Sequence, residues 1–296
     1  MRAAARAASS ELLWVNGDRV DPGASHVSAL DRGFTMADGL FETMRAYRGT
    51  IFRATQHLER LASGARVLGI RLPDDLEHRL DSAMRSAHAV GLDEARVRLT
   101  VSRGVAAPGL ALDDNATPTV VVAVQPVPAF PAALYDAGIS ALTAAARRNE
   151  RGATSGIKTL SYTEAIVALA QARAAGADDA ILLDTEGHLS EAAASNVFLY
   201  ARGVLVTPPL SCGALPGITR AAVLEIAPAL GLEVRERPVG AQELALAEEA
   251  FLTSSLREIA PLVRVDHRAI GSGTVGVMTR RVMDAFAALV ERECAP

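Results

Sequence analysis

Lysine and arginine together number 30 in this 296-residue chain, and only one of them, Lys158, is a lysine. A GC-rich coding bias swaps dispensable surface lysines for arginines, so a sole survivor is a candidate for chemistry that arginine cannot do. Arginine stays protonated, whereas a lysine amine can be tuned as a nucleophile and can form a Schiff base with a carbonyl. The competing reading is a surface lysine kept by chance, and composition alone does not separate the two. A second candidate is Gly217-Ile218-Thr219-Arg220, which opens a helix with apolar periodicity at Val223, Leu224, Ile226, Ala227 and Leu230. Free N–H groups and the positive dipole end at a helix start hold anions, and Thr219 adds a hydroxyl. Thr253-Ser254-Ser255 closes an apolar strand, where its hydroxyls either finish a phosphate cup or make a solvated turn. Glu191, followed by Ser195-Asn196, is either an ordinary surface charge or the partner of a pyridinium nitrogen. An amine for an aldehyde, a cup for a phosphate and a carboxylate for a ring nitrogen are the three handles of pyridoxal 5′-phosphate. Their conjunction is far more specific than any one of them.

Other motifs carry less. Gly271, Gly273 and Gly276 match the glycine spacing of a dinucleotide site, but only 20 residues follow, too few for the βαβ unit that such a site needs. The stretch from Gly152 to Thr159 faintly resembles a phosphate loop, but Ile157 separates Gly156 from Lys158. Cys212 and Cys294 suggest neither a disulfide framework nor a metal site, and their usage fits a reducing cytoplasm. Net charge is −4 and the basic residues form no stripe, which gives no reason to expect nucleic acid. No apolar run approaches the roughly 20 residues of a membrane span. Residues 1–10 read as a loose Ala/Arg-rich tail and not a signal peptide.

The elements that must position these residues fall into two groups. In residues 1–125, Asn16-Gly17 between Leu12-Leu13-Trp14-Val15 and Arg19-Val20 signals a hairpin. Phe41 to Tyr47 reads as a strand that turns at Arg48-Gly49 into Ile51-Phe52. Leu58, Leu61, Ala62, Ala65 and Leu68 repeat at helical spacing, and a second amphipathic helix runs from Pro73 to about Val90, stopped by Gly91. Strands at Arg96–Val101 and Thr119–Val124 complete a small α+β domain. The proline-rich residues 126–134 read as a stiff interdomain connector. Residues 135–296 alternate strands (Ile139–Ala144, Ala180–Leu183, Glu233–Arg237, Ala250–Thr253, Ile259–Val265) with helices. Helices are expected at Tyr162–Ala175, with Ser161 and Glu164 as a capping box, at Thr219–Leu230 and at Val277–Arg292. Val197–Val206 reads as a hairpin around Arg202-Gly203.

The stretches Lys158–Tyr162, Asp184–Phe198 and Gly217–Arg220 resemble the signatures of class IV aminotransferases, the fold-type IV pyridoxal-phosphate enzymes. That family holds branched-chain and D-amino-acid aminotransferases, (R)-amine transaminases and aminodeoxychorismate lyase. The resemblance extends to Asp31-Arg32-Gly33, Asp38–Arg45, His57–Arg60 and Phe251–Pro261, in order along nearly the whole chain. It implies a small α+β domain and a larger pseudo-barrel domain with the site between them. It implies a homodimer whose partner subunit completes the substrate pocket. Lys158 would bond to the cofactor aldehyde and then shuttle a proton, and Glu191 would keep the pyridine nitrogen protonated. Arg60 would pair with the phosphate beside Ile218, Thr219 and Ser255. Tyr162 would approach the ring hydroxyl, and Asn196 belongs to the same cofactor shell. Arg32, Met36, Phe41 and Arg98 fall where relatives line the substrate pocket.

The first reading of the reaction is transamination, in which an amino acid gives its nitrogen to the cofactor and a 2-oxo acid takes it back. The second is aminodeoxychorismate lyase. Lyases of this family carry an arginine after the Ser-Arg-Gly stretch, and here Ser102-Arg103-Gly104 leads to Pro108 instead, which favours the transaminase. The Arg-x-His carboxylate trap of D-amino-acid enzymes is missing from the same loop, which counts against that subclass and leaves it only as a variant using Arg32 or Arg98. The Phe-Glu-Gly signature of branched-chain enzymes stands here as Phe41-Glu42-Thr43. A third reading, a non-catalytic binding protein on the same fold, is opposed by the retention of Lys158, Glu191 and Arg60. Substrate identity and handedness stay open at this point.

Overall fold

A computed structural model of the chain describes residues 11–107, 109–113 and 116–295; the tail at residues 1–10 and Pro108 lie outside them. The chain divides into two compact units, one running up to Pro128 and taking in the last residues from Glu293, the other spanning Ala129–Arg292.

The first unit is built on a six-stranded antiparallel sheet. Its strands are β1 (Leu12–Val15), β2 (Asp18–Val20), β3 (Gly39–Tyr47), β4 (Thr50–Ile51), β5 (Ala95–Ser102) and β6 (Thr119–Pro126), in the order β2-β1-β6-β5-β3-β4. Its helices are α1 (Arg32–Met36), α2 (Ala54–Leu68) and α3 (Leu76–His88). Side chains alternate across a strand, and here Val97, Leu99 and Val101 of β5 and Val120, Val122 and Val124 of β6 are all buried. Leu61 and Ala65 of α2 and Leu80, Ala83 and Met84 of α3 supply the covering apolar faces. Each fully buried Leu or Met contributes roughly 1.5–3 kcal/mol relative to exposure. The same alternation sends Glu42 to the helix side of β3 and Phe41 to the other side, where Thr43 pairs in register with Arg98.

The second unit holds a nine-stranded mixed sheet in the order β12-β11-β10-β13-β14-β7-β8-β9, with β15 pairing β14. The strands are β7 (Ile139–Arg148), β8 (Asp179–Asp184), β9 (Leu189–Ala192), β10 (Asn196–Ala201), β11 (Val204–Thr207), β12 (Glu233–Glu236), β13 (Glu249–Ser254), β14 (Glu258–Val265) and β15 (Arg268–Ala269). The helices are α4 (Ala132–Asp136), α5 (Thr163–Ala174), α6 (Ile218–Ile226), α7 (Ala241–Leu246) and α8 (Val277–Glu293). Strand β9 ends the sheet and β10 stands third from the opposite end, yet only residues 193–195 separate them in sequence. So short a connection forces the sheet to curl. Ile181, Leu183, Leu189, Val197, Leu252 and Leu262 fill the resulting core, and Phe198 stacks on Phe251 at 5.1 Å across the β10–β13 pair.

Several elements differ from the sequence reading. The connector is not extended throughout: Pro131 is the N-cap of α4, whose first turn occupies the end of the proline-rich stretch. Strand β7 runs four residues beyond the expected Ala144, with a register irregularity against β8 between Thr143 and Arg147. The capping box on α5 does not form. The N-cap is Tyr162, without a side-chain cap bond, and Glu164 instead accepts from Arg148 Nη1 at 3.1 Å. The helix expected at Thr219–Leu230 is α-helical to Ile226 and tightens into a 3₁₀ turn over Ala227–Leu230, where Pro228 removes a backbone donor.

Candidate active site

Lys158 sits in the turn-rich segment between β7 and α5. Its Nζ donates to Tyr162 Oη at 3.1 Å. Tyr162 stands four positions on, at the N-cap of α5, so the start of that helix carries the tyrosine back over the amine.

Glu191 stands in the middle of β9 and is buried. Its Oε1 accepts from Arg148 Nη2 at 2.7 Å, and its Oε2 accepts from the Leu215 backbone N–H at 2.9 Å. Burial pushes its pKa up, while the Arg148 charge, the Leu215 N–H and the charge of Lys158 pull the other way. Each carboxylate oxygen keeps a lone pair free for a further donor.

The Leu215 segment is held from two strands. Glu191 takes its N–H, and Asn196, the first residue of β10, donates Nδ2 to its carbonyl at 2.8 Å. Two residues on, Gly217 is the N-cap of α6, and a Cβ there would lie 2.0 Å from Asn196 Oδ1. Glycine is required for this close approach. No side chain caps α6, so the N–H groups of its first turn, with the buried Ile218 and Thr219, are presented as an anion-binding end. By contrast, the start of α8 is filled from within: Glu249 accepts from the Met278 and Thr279 N–H groups, and Gly276 leaves room for its carboxylate. That accounts for the third glycine of the dinucleotide-like spacing.

Ser255 lies in the turn after β13. Arg257, two residues on, pins this turn by donating from Nη2 to Asp179 Oδ2 at 2.5 Å and to Ser195 Oγ at 2.9 Å. Ser195 belongs to the short link between Glu191 and Asn196, so one guanidinium holds the Ser255 turn and the Glu191–Asn196 link together. A cavity of about 280 Å³ opens beside Glu191 and Tyr162, lined also by Arg148, Glu164, Gly213 and Leu215 among others. Lys158 itself is flanked by two of its lining residues, Ile157 and Thr159.

The remaining candidates belong to the first unit. Arg60 on α2 makes a two-pronged contact with Glu42 of β3, Nε to Oε1 at 2.8 Å and Nη2 to Oε2 at 2.6 Å. His57 lies 2.7 Å from the same carboxylate. Burial alone would push Glu42 up, but the His57 and Arg60 hydrogen bonds and charges outweigh it and hold the carboxyl at about 2. Arg98 lies over the Phe41 ring at 3.9 Å. Arg32 is buried and committed to the fold: Nε donates to Asp38 Oδ2 at 2.8 Å and Nη1 to the Gly109 carbonyl at 2.7 Å. Met36, at the end of α1, is 43% exposed, so its side chain is available for a further contact.

Glu191, Asn196 and the α6 start thus form one bonded group around Leu215, and the Lys158–Tyr162 pair meets it at the cavity that Tyr162 and Glu191 both line. Phe41 and Arg98 form a pair, and Arg60 and Arg32 each hold a carboxylate. Sequence reasoning missed Arg148, Arg257 and Glu42. Arg148 was hidden because Ala-Ala-Ala-Arg-Arg does not read as a strand, and its partner Glu191 stands 43 residues away.

The pattern of the family described as "Amino-transferase class IV" matches residues 39–265. A protein of Methanocaldococcus jannaschii, provisionally named a branched-chain-amino-acid aminotransferase, is 35% identical over 93% of this chain and 94% of its own. A branched-chain amino acid aminotransferase of the organism abbreviated T.th., solved with N-(5′-phosphopyridoxyl)-L-glutamate, superposes with a TM-score of 0.85 at 29% identity, covering 95% of this chain and 94% of that one. The 4-amino-4-deoxychorismate lyase of Pseudomonas aeruginosa gives 0.80 at 32% identity, covering 95% and 98%.

Proposed function

This chain belongs to the class IV aminotransferase family, and we propose that it moves the amino group of an L-branched-chain amino acid to a 2-oxo acid, as a cytoplasmic homodimer. It has the mixed α+β architecture of fold type IV and is a pyridoxal-phosphate-dependent aminotransferase. The observation that carries the proposal is the chain's sole lysine, bonded at 3.1 Å to Tyr162 Oη, a residue that lines one cavity together with the buried Glu191.

The residues present fit the cofactor. Lys158 offers the amine, Glu191 an acceptor whose two oxygens are fixed in place, and α6 an uncapped N-terminus for the phosphate. When bound, pyridoxal phosphate supplies an aldehyde and a ring that withdraws electrons from the substrate's Cα. In our reading Lys158 Nζ takes the proton from that carbon and later returns one, serving both half-reactions as base and acid. Tyr162 orients the amine through its hydroxyl. Arg148 and the Leu215 N–H hold the Glu191 carboxylate toward the ring nitrogen. Ile218, Thr219, Ser255 and Arg60 are assigned to the phosphate, and Asn196 to holding the Leu215–Gly217 segment.

Branched-chain specificity is drawn from the relatives' names, and L-handedness from the glutamate adduct of the T.th. enzyme. Thr43, which departs from the branched-chain signature, stands on the same sheet face as Phe41 and opposite Arg98, among the residues assigned to the substrate pocket. The dimer is supported by a patch of exposed apolar side chains on the first unit. Leu30, Phe34, Met36, Val105, Leu110 and Leu112 all lie exposed, and Arg32 ties their two segments together through the Gly104 and Gly109 carbonyls. The cytoplasmic assignment rests on two free, buried thiols. No helix among the described residues is long and apolar enough to cross a membrane.

The first test is the visible absorbance of the purified protein during titration with L- and D-amino acids. The lysine-bound cofactor band should be present and should be discharged by L-leucine, L-isoleucine or L-valine and by L-glutamate. Lys158→Ala should abolish both the band and turnover while leaving the fold intact. A band that only aminodeoxychorismate discharges, with release of pyruvate, would replace this reading by the lyase.

A further inference from the structure

We propose that Asp184, His188 and Cys212 form a binding site for a divalent cation of the zinc class, separate from the aminotransferase machinery. Nothing in the spacing of these residues announces it. Asp184 ends β8, His188 stands four residues on across the turn, and Cys212 arrives from the short 3₁₀ turn Leu210–Cys212. The fold brings one ligand atom of each within 4.8 Å of the others.

The geometry favours a cation over a plain hydrogen-bonded cluster. Asp184 Oδ1 is fixed by the N–H groups of Glu186 at 3.0 Å and His188 at 2.8 Å, which leaves Oδ2 for the imidazole and the thiol. His188 Nδ1 stands 3.3 Å from that Oδ2. By comparison, the pairs His57–Glu42 and His88–Asp93 close to 2.7 and 2.6 Å. A separation of about 3.3 Å is long for such a pair, but it is what bonds of roughly 2.0–2.1 Å at a tetrahedral angle place between two ligand atoms. Glu186 Oε2, 4.0 Å from the same ring nitrogen, is placed to supply a fourth ligand, and a water would serve as well.

The donor set is thiol, imidazole and carboxylate, which suits zinc or cadmium better than magnesium or calcium. Cys212 is a free thiol, and the carboxylates of Asp184 and Glu186, both beside the His188 ring, would draw a dication in place of its proton. Binding exchanges the two: the S–H bond breaks, a sulfur–metal bond forms, and the proton leaves to solvent. Asp184 Oδ1, held by backbone N–H groups, keeps the carboxylate oriented as outer-shell partners do in metal sites. The bound ion would tie the Asp184–His188 turn to the Leu210–Cys212 turn, three residues before the Leu215 N–H that Glu191 accepts.

The test uses chelator-treated holoenzyme titrated with cadmium, reading the ultraviolet thiolate-to-metal band, with zinc as competitor. We expect one equivalent to bind, zinc to displace it, and thermal stability to rise with either ion. Cys294→Ser should bind as the wild type does, Cys212→Ser should lose the band, and His188→Asn should weaken binding roughly tenfold or more. His188 is part-exposed, so the last variant tests the site without disturbing the core. No band in the wild type, a band that persists in Cys212→Ser, or unchanged affinity in His188→Asn would overturn the assignment.

Discussion

Glu42 is a fully buried carboxylate with a guanidinium and an imidazole against it, all within the first unit. Its folded pKa of about 2 lies below the ordinary 4.5. A group with a depressed folded pKa adds stability above its unfolded value and loses it as pH falls toward the folded one. The term is therefore complete above pH 4.5 and decays between 4.5 and about 2. A shift of this size corresponds to on the order of 3 kcal/mol. Glu42→Gln strands Arg60 beside a neutral partner and should destabilise by roughly 3–5 kcal/mol at neutral pH. Urea unfolding of both proteins from neutral pH down to about 3 measures it. The gap between them should narrow on acidification, and two parallel curves would refute the pairing. If Arg60 also meets the cofactor phosphate as proposed, the variant should hold pyridoxal phosphate less tightly at neutral pH.

At the scale of elements, the start of α6 depends on one glycine. A Cβ at position 217 would meet Asn196 Oδ1 at 2.0 Å and Arg220 Cβ at 3.2 Å. Asn196 can relieve the clash only by giving up its bond to the Leu215 carbonyl, which would loosen the segment that Glu191 also holds. Gly217→Ala should therefore cost roughly 1–3 kcal/mol and raise the dissociation constant for pyridoxal phosphate, read from the cofactor's absorbance on dilution. Adding Asn196→Ala removes the clashing oxygen and should recover stability more than cofactor affinity. Unchanged affinity in Gly217→Ala would show that α6 does not hold the phosphate. The glycine could be singled out from sequence, but its neighbour could not. Tight turns were legible because Asn16-Gly17, Arg48-Gly49 and Arg202-Gly203 each put a glycine at the second of two positive-φ positions; Asn16 also suits the first, which Arg48 and Arg202 adopt against their preference. Strand β9 was not: Leu189–Ala192 is buried on both faces and shows no alternation. Nor was the outer half of β7, where alanines and arginines continue a strand that only its neighbours stabilise. The lysine, the acidic residue and the helix start could be named individually from local signals. Their coupling through Arg148, Leu215 and Arg257 spans 43, 24 and 62 residues and exists only in the fold.

At the scale of the whole molecule, the first unit carries apolar surface that its own core does not use. Phe34 is 77% exposed and Leu110 87%. They sit on α1 and on the loop after β5, which the buried Arg32 binds to each other through Asp38, Gly104 and Gly109. Asp38 is itself clasped by Arg103, from Nε at 2.7 Å, so the base beneath the patch is cross-linked by two guanidinium groups on one carboxylate. An apolar patch already tied down by such bonds has less conformational freedom to lose on association, which favours a stable contact. A second copy of this chain is the occupant that the family leads us to propose, and a twofold contact would place equivalent patches near each other. Phe34→Glu puts a charge in the middle of that surface without touching the Arg32–Asp38 network. Sedimentation equilibrium should find the wild type at twice the chain mass and the variant shifted toward the single chain. Because Met36 lies two residues from Phe34, turnover should fall as dimerisation is lost, while the lysine-bound cofactor band persists. A variant that becomes monomeric yet turns over normally would show that the partner subunit adds nothing to the substrate pocket, and a wild type that is monomeric at working concentration would remove the dimer from the proposal altogether.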